Sequence, residues 1–309
     1  MRLLFAGTPE AALPSLEALV ASRHEVVAVV TRPDAPAGRG RKLTPSPVAA
    51  RAAVLGLPVL KPAKPGDEDF VAELTRLAPD ACPVVAYGAL LPQRVLDIPR
   101  LGWMNLHFSV LPRWRGAAPV QRAVMAGDDT IGTSCFRIVR ALDAGDVFRS
   151  SSMPMPDATA GELLTALAKS GAQQLLDALE AMESGETPVP QPDDGITVAP
   201  KVTVADARID WSAPAPDIRN LVMGCSPDPG AWCELAGERF KVYRARVAGE
   251  TDEGAAEPGP PGRLRATKHQ VFVATGDAEL ELLEVQPAGK RRMSAIDWAR
   301  NMTAGKALA

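Results

Sequence analysis

The chain has 309 residues, of which 46% are hydrophobic and 23% are charged, a composition typical of folded proteins that excludes disorder of the whole chain. This length predicts about two domains. The 34 basic and 37 acidic residues give a net charge of −3, which excludes a chain-wide basic surface, so any contact with nucleic acid must come from a local patch.

Strand and helix patterns alternate through the first third of the chain. Apolar runs predict strands over residues 3–6, 25–30, 58–60, 81–86 and 101–106. Helical patterns separate them at residues 9–21, 46–55 and 70–78, and Thr8 is expected to cap the first helix with Pro9 as its first residue. The second strand has almost no polar alternation, so both of its faces are expected to be covered. This alternation is typical of an α/β domain with a Rossmann-like parallel sheet between layers of helices.

The pattern changes in the second half of the chain. Thr159 and Glu162 form a capping box that predicts a helix ending near Met182, and the proline-rich residues 185–194 predict an extended segment. Later residues hold short alternating runs between Gly and Pro clusters, which predict a smaller β-barrel (OB-like) or a compact sheet. We therefore expect one domain over residues 1–184, a linker over 185–204 and a second domain over 205–309.

Two common kinds of site are not predicted. Parallel sheets bind ligands at the carboxyl ends of their strands, but the turn Gly7-Thr8-Pro9-Glu10 lacks the Gly-x-Gly-x-x-Gly pattern of dinucleotide sites. The 4 cysteines form no Cys-x-x-Cys pair and there are only 3 histidines, so no metal is expected. Since neither a signal peptide nor an apolar run of about 18 residues is present, we expect a cytoplasmic protein with reduced, buried thiols.

The densest group of polar residues begins where the fifth predicted strand ends. Asn105 and His107 are two positions apart, so in an extended chain their side chains share one face, where an amide and an imidazole can stabilise an oxyanion. Asp143 follows in Asp143-Ala144-Gly145, in which Gly145 permits a tight turn. From spacing alone, ordinary roles stay open: a helix cap for His107, and turns for Asn105 and for the Asp-x-Gly triplet.

Several motifs together resemble the 10-formyltetrahydrofolate-dependent formyltransferases. The most general of them are Asn105-Leu106-His107, Ser109-Val110-Leu111-Pro112 and Leu142-Asp143-Ala144-Gly145. The resemblance extends to the branch of the family that acts on methionyl-tRNA at residues 5–9, 32–40, 43–48, 112–119, 207–211 and 286–290. These segments follow one another in order along essentially the whole chain, and the run Pro-Arg-Trp-Arg-Gly-Ala-Ala-Pro at 112–119 is highly specific by itself.

The resemblance implies a reaction in which the formyl group of 10-formyltetrahydrofolate moves to the α-amine of methionyl-initiator-tRNA. In this reaction Asn105 is expected to donate an amide N–H to the anionic oxygen of a tetrahedral intermediate, and His107 to donate a second hydrogen bond or a proton. Asp143 is expected to hold the imidazole and to accept, through water, the proton that the amine loses. The transfer is direct, so no nucleophilic side chain is needed.

The resemblance also implies which residues hold the folate. In the family, apolar backbone segments form the pterin pocket, and the matching residues here are Tyr87, Gly88, Leu90, Ser109, Val110, Leu111 and Pro112. Two departures from the family pattern fall beside them, Val110 in place of Leu and Phe108 in place of a small residue, and the second alters the expected shape of the pocket. An alternative for Tyr87 is an ordinary core position.

Basic residues are concentrated in a Gly- and Pro-rich segment at residues 32–42, typical of a loop that orders on RNA. The resemblance places this loop near the acceptor end of the tRNA. Outside the loop, Trp114 has two open roles, stacking on a base or packing. The expected tRNA contacts are Arg39, Arg41, Lys42, Arg113, Lys290 and Arg291, and Arg115 and Arg122 extend this surface. The alternative is a set of solvated charges without a partner.

Other classes of protein stay open from the sequence. A formyltransferase of purine synthesis usually lacks the second domain, and one that acts on sugar amines is expected to lack the pattern at residues 32–42. A formyltetrahydrofolate hydrolase uses water as its acceptor. A non-catalytic RNA-binding protein is a further alternative, although Asn105, His107 and Asp143 are all present. We expect a monomer without a membrane partner.

Overall fold

A computed structural model describes residues 1–37, 40, 42–249, 259–300 and 307–309 of the chain. It contains two compact units. The first is formed by Met1–Pro119, Thr130–Pro154 and Leu164–Ala199, and the second by Val120–Asp129, Met155–Leu163 and Pro200–Ala309. The helices of the first 199 residues are α1 (Leu13–Ala21), α2 (Pro47–Val54), α3 (Glu68–Leu77), α4 (Gln93–Leu96), α5 (Pro119–Met125) and α6 (Ala160–Glu183).

The first unit is built on a seven-stranded sheet. Its strands and those of two small ribbons are β1 (Arg2–Gly7), β2 (Glu25–Val30), β3 (Ala35–Ala37), β4 (Lys42–Thr44), β5 (Val59–Leu60), β6 (Ala81–Val85), β7 (Gly102–His107), β8 (Arg115–Gly116), β9 (Thr130–Arg137), β10 (Val147–Pro154) and β11 (Val198–Ala199). The order in the large sheet is β10-β9-β7-β6-β1-β2-β5. The strands from β5 to β7 run parallel, as predicted, whereas β9 and β10 add an antiparallel edge that was not predicted.

The central strands are covered on both faces, which confirms the expectation for the second strand. Consecutive residues Leu3 to Ala6 of β1 and Ala28 to Val30 of β2 are all fully buried. Neighbouring side chains on a strand point to opposite faces, so burial of every position requires a layer on each side. Phe70 and Leu74 of α3 pack in the hydrophobic cluster on one of these faces.

The turn after β1 differs from the prediction. Thr8 does not cap a helix, because a 3₁₀ turn at Glu10–Ala12 comes first and α1 begins only at Leu13. The Thr8 hydroxyl instead donates to the carbonyl of Tyr87 at 2.8 Å and accepts from the backbone N–H of Arg32 at 3.3 Å. One side chain thus joins the segments that follow β1, β2 and β6.

Two other helix starts form as their sequences indicate. Ser46 caps α2 by accepting from the N–H of Ala49 at 3.0 Å. At α6, the predicted capping box is confirmed: the Thr159 N–H donates to the Glu162 carboxylate at 2.8 Å, and the Glu162 N–H donates to the Thr159 hydroxyl at 3.3 Å. Each reciprocal bond satisfies a backbone donor that the helix leaves unpaired.

The second unit contains a six-stranded antiparallel sheet. Its elements are α7 (Ala215–Gly224), β12 (Ala231–Leu235), β13 (Glu238–Val247), β14 (Leu264–Ala266), β15 (Val271–Ala274), β16 (Glu279–Gln286), β17 (Met293–Ser294) and α8 (Ala295–Ala299). The strand order is β12-β13-β16-β15-β14, and β17 pairs with β16. The runs at residues 232–235, 240–243, 270–273 and 279–285 predicted strands and overlap β12, β13, β15 and β16. The short strands β14 and β17 and both helices were not predicted.

The last three residues close this sheet into a barrel. Ala309 exchanges two backbone hydrogen bonds with Glu234 of β12, at 2.6 and 2.8 Å. On the other side, Leu308 donates to the carbonyl of Gly262 at 2.9 Å, and Ala307 pairs with Arg263, just before β14. The two edge strands are therefore joined through residues 307–309, which confirms the predicted barrel.

All four cysteines are free and buried, and burial raises the pKa of the Cys225 and Cys233 thiols to about 12. Among the described residues, no group of three or more His, Cys, Asp or Glu side chains is arranged to hold a metal ion. In the same part of the chain, no helix combines the length and the apolar character needed to cross a bilayer.

Leu308 is 4% exposed at the point of barrel closure, so we predict that Leu308→Ala destabilises the protein. The loss of a buried leucine side chain typically costs about 2 kcal/mol or more. Val54→Ala is the matched control because Val54 is 75% exposed, and it should change the unfolding free energy by less than about 0.5 kcal/mol. Urea unfolding followed by tryptophan fluorescence measures both, and equal effects would contradict a closing role for Leu308.

Candidate active site

Three parallel strands bring their carboxyl ends to one edge of the large sheet. The register aligns Ala6 of β1 with Val84 of β6, and Val84 with Asn105 of β7. The segments that follow these strands therefore emerge at the same edge, where parallel sheets bind ligands. Thr8, Gly88 and the loop after His107 all belong to these segments.

Asn105 and His107 occupy alternate positions of β7, so their side chains lie on the same face, as predicted. Asn105 is half-buried, and its amide forms no hydrogen bond with another residue that the structure describes. The side chain of His107 is 6% exposed, and its ring lies edge-on to Phe136 of β9 with 6.3 Å between ring centroids. This face offers an amide N–H donor beside a buried imidazole.

A backbone carbonyl holds the imidazole of His107. Its Nε2 lies 2.8 Å from the carbonyl oxygen of Trp114. A carbonyl can only accept, so Nε2 carries the proton, and Nδ1 of the neutral ring is an acceptor. Nδ1 lies 4.0 Å from Oδ2 of Asp143, which is beyond hydrogen-bond distance. The ring is thus held by Trp114 rather than by Asp143.

Burial decides the charge state of His107. Removal from water disfavours the imidazolium and lowers the pKa of His107 below its ordinary 6.5. The Asp143 carboxylate and the hydrogen bond to Trp114 act in the opposite direction and have smaller effects on this pKa. The ring is therefore neutral at neutral pH, and Asp143 stabilises the charge that the ring gains when Nδ1 takes up a proton.

The loop between β9 and β10 brings Asp143 to His107. The Asp143 Oδ2 accepts the backbone N–H of Gly116 at 2.7 Å, and the side chain is 15% exposed. Asp143 itself adopts the left-handed conformation, with φ of 48°. Gly145 serves a different purpose from the one predicted: a Cβ at this position would lie 1.8 Å from the carbonyl oxygen of Arg137. Gly145 is therefore needed for close backbone packing.

The segment after α6 holds the backbone of Trp114 and Gly116, which contacts His107 and Asp143. The Trp114 N–H donates to the Thr197 hydroxyl at 2.8 Å, and the Arg115 N–H donates to the Thr197 carbonyl at 2.9 Å. Next to them, Gly116 of β8 pairs with Ala199 of β11. Gly116 has φ of 131°, and a Cβ on it would lie 2.6 Å from the Ala199 carbonyl oxygen. Position 116 therefore accommodates only glycine, whose N–H donates to the Asp143 carboxylate.

Ser134 of β9 holds the loop that follows β7. Its buried hydroxyl accepts the N–H of Leu111 at 3.0 Å and donates to the carbonyl of Ser109 at 2.9 Å. The Ser109 hydroxyl donates to the carbonyl of Arg113 at 2.6 Å, and the peptide bond before Pro112 is cis. Of these expected folate contacts, Ser109 and Leu111 are buried, whereas Val110 is 38% exposed.

The other expected folate contacts differ in their accessibility. Tyr87 is 2% exposed and packs in the hydrophobic cluster that contains Trp103, the core position that the sequence left as its alternative. Gly88 is exposed with φ of 81°, and Leu90 is 80% exposed. The ring of Phe108, which departs from the family pattern, is buried.

The basic residues that the sequence assigned to the tRNA surface fall into three groups. Arg39 and Arg41 lie outside the described residues. Lys42, Lys290, Arg291 and Arg113 are exposed, and the Arg113 guanidinium lies 4.6 Å from the centroid of the Trp114 ring. Arg115 and Arg122 form hydrogen bonds within their own units, Arg115 with Gln191 at 2.6 Å and Arg122 with Asp206 at 3.0 Å.

Several residues that shape the site were not singled out from the sequence. They are Ser134, Gln191 and Thr197, together with the backbone groups of Trp114 and Gly116. Backbone groups leave no side-chain signal, and Gln191 lies in a proline-rich stretch that indicated only an extended segment. The one available signal was the specific run at residues 112–119, which contains both Trp114 and Gly116.

Family profiles and similar proteins both relate nearly the whole chain to formyl transferases. The profile of the formyl transferase family matches residues 1–179, and that of the formyl transferase C-terminal domain matches residues 201–303. A methionyl-tRNA formyltransferase of Streptomyces griseus is 56% identical over 306 residues, covering 98% of this chain and 97% of that protein. A protein of the same name from Thermobifida fusca is 54% identical over 307 residues, covering 99% and 97%.

Solved structures share the fold at low sequence identity. HypX from Aquifex aeolicus, in complex with tetrahydrofolic acid, matches with a TM-score of 0.67 and 19% identity over 99% of this chain and 48% of that one. A methionyl-tRNA formyltransferase from Clostridium thermocellum matches with a TM-score of 0.58 and 14% identity over 80% of this chain and 94% of that one. At these identities the likeness concerns the fold alone.

Proposed function

The chain belongs to the formyltransferase family, and we propose that it transfers the formyl group of 10-formyltetrahydrofolate to the α-amine of methionyl-initiator-tRNA. The product, formylmethionyl-tRNA, serves translation initiation. One observation carries this proposal: 56% identity with a methionyl-tRNA formyltransferase across 98% of this chain. Because both family models match, the likeness covers residues 1–179 and 201–303 of the chain.

In this proposal Asn105 stabilises the anionic oxygen of the tetrahedral intermediate. When the amine attacks the formyl carbon, the carbonyl oxygen gains negative charge and needs a fixed hydrogen-bond donor. The position of Asn105 on the same face of β7 as His107 supports this role. β7 is paired with β6 on one side and with β9 on the other, so the backbone that carries Asn105 is fixed within the sheet.

His107 handles the proton in this proposal. The amine gains a bond to the formyl carbon and loses one proton, whereas N10 of the folate loses its bond to that carbon and gains one. The neutral Nδ1 is suited to take the proton from the amine and to return it to N10. Asp143, 4.0 Å away, stabilises the imidazolium between these steps. An α-amine with a pKa of about 8 is substantially neutral in the cell, so its attack needs no prior activation.

The folate is proposed to lie against the segments that leave the shared sheet edge. Ser109 to Pro112 form a loop braced by Ser134, and the apolar side chains of Val110 and Leu90 are exposed to a ligand. Gly88 offers accessible backbone, whereas Tyr87 can contribute through its main chain, since its ring is buried.

The expected tRNA contacts are carried forward as part of the proposal. Phosphates are proposed to bind Arg39, Arg41, Lys42, Arg113, Lys290 and Arg291. The net charge of −3 supports a local patch because the chain has no general attraction for RNA. We further propose catalysis by residues 1–184, tRNA contact by 205–309 and a linker at 185–204, in a monomer that acts in the cytoplasm where initiator tRNA is used.

Formyl transfer is tested with labelled 10-formyltetrahydrofolate and charged initiator tRNA. We predict that Asn105→Ala lowers turnover by about 10²- to 10³-fold, the typical effect of one lost transition-state donor. We expect His107→Ala to lower it by a similar factor, because proton transfer by a positioned side chain typically contributes about 10²-fold or more. His269→Ala removes an exposed histidine and is the matched control with unchanged turnover. Near-normal transfer by His107→Ala would contradict the proposed mechanism.

The same assay separates the alternative acceptors. Elongator methionyl-tRNA, a free sugar amine and water are offered in parallel with initiator methionyl-tRNA. Preferred formylation of the initiator tRNA is the expected result. Transfer to the sugar amine, or release of formate without a formylated product, would assign the chain to another reaction of the family.

We predict that tRNA binding weakens steeply with salt and that Arg39, Arg41 and Lys42 account for part of that slope. Replacing all three with Gln should reduce the slope of log affinity against log salt by about 2, since each phosphate contact contributes roughly 0.7 to 0.9. Replacing the exposed Lys64, Arg76 and Lys169 with Gln changes the net charge equally and should leave the slope unchanged. Equal slopes for the two triple variants would argue against the loop as an RNA contact.

A further inference from the structure

Gln191 lies in the segment between α6 and β11, and its side-chain amide uses every hydrogen-bonding position that it has. Its Nε2 donates to the carbonyl of Asp143 at 2.8 Å and to the carbonyl of Gly145 at 2.8 Å. Its Oε1 accepts from Arg115, from Nε at 3.1 Å and from Nη2 at 2.6 Å. The partners fix the orientation of the amide, because a flipped amide would set its oxygen against two carbonyl oxygens.

The Asp143 loop needs such support. Asp143 has φ of 48°, in the left-handed region that residues with a side chain rarely adopt. The two carbonyls that Gln191 binds flank Ala144, so the amide spans the turn that presents the Asp143 carboxylate. On its other side, Gln191 is held by Arg115, the residue before the glycine that donates to that carboxylate. One side chain therefore joins both halves of the Asp143 environment.

The geometry points to Gln191 as a positioning residue that holds the Asp143 carboxylate in place beside His107. This inference rests on the proposed formyl transfer for its kinetic consequence only. Gln191 acts through Asp143, because both of its donors are bound to backbone carbonyls of the Asp143 loop. The proline-rich segment is thus more than a connection: it also pairs with the start of β10 through Val189 and Val147.

Two variants separate the donor side of Gln191 from its acceptor side. Gln191→Leu keeps much of the volume and removes all four bonds. Gln191→Glu keeps the attraction to Arg115 but sets a carboxylate oxygen against the carbonyls of Asp143 and Gly145. Gln173→Leu is the matched control, because Gln173 is exposed on α6 and its side-chain amide donates to Asp177 of the same helix at 2.8 Å.

We expect Gln191→Leu and Gln191→Glu to lower kcat by about 10- to 100-fold, the effect of a misplaced catalytic group, with KM for both substrates changed less than about 2-fold. Melting temperatures within about 4 °C of the wild-type value show that each variant is folded. In an Asp143→Asn background, Gln191→Leu should have no further effect on kcat, because the group that it positions is already lost. Gln173→Leu should match the wild type.

The charge state of His107 provides a readout that does not depend on activity. Asp143 supports the imidazolium, so displacement of its carboxylate should move the NMR titration of His107 to lower pH in Gln191→Leu, in the same direction as in Asp143→Asn. An unchanged His107 titration in Gln191→Leu would overturn the inference. So would a double variant in which the kcat losses of Gln191→Leu and Asp143→Asn multiply. An inactive wild-type protein would instead refute the proposed function, and the titration would still decide the role of Gln191.

Discussion

The hydrogen bond from the Gly116 N–H to the Asp143 carboxylate is the contact on which the candidate site depends. It fixes the carboxylate 4.0 Å from Nδ1 of His107, while the Trp114 carbonyl fixes the opposite nitrogen of the same ring. The Trp114 carbonyl and the Gly116 N–H lie two residues apart, in a short stretch that contains the two-residue strand β8. That stretch is held by Thr197, 83 residues after Trp114 in the chain. The geometry of the site is therefore assembled across a long sequence separation.

The charge state of His107 follows from a balance between burial and one nearby carboxylate. Burial alone would make the imidazolium too costly for the ring to accept a proton, whereas a carboxylate in hydrogen-bond contact would favour a permanently charged ring. At 4.0 Å, Asp143 opposes the effect of burial without overcoming it, so the pKa of His107 stays below its ordinary value. A neutral base whose charged form is still supported suits a reaction in which one proton is taken up and returned.

Apolar runs, capping residues and motifs predicted much of the fold. Contacts between residues distant in sequence could not be predicted in this way. The apolar run at Glu25–Val30 predicted a doubly covered strand, and Thr159 with Glu162 predicted the start of α6. The antiparallel edge was missed because β9 contains Gly132 and Ser134 and lacks clear alternation. Asn105, His107 and Asp143 were found because side chains leave motifs. The role of the Trp114 carbonyl and the hydrogen bond between Gln191 and Asp143 were not found from the sequence. Both depend on contacts between backbone segments that the sequence alone does not bring together.

The protonation of the His107 ring is the most direct test of this account. In ¹⁵N-labelled protein, the two ring nitrogens give separate NMR signals that report which of them carries the proton. The account predicts a neutral ring at neutral pH with the proton on Nε2 and a pKa of His107 below the ordinary value of a histidine, because burial disfavours the charged ring. A ring that is charged at neutral pH, or one that carries its proton on Nδ1, would contradict it.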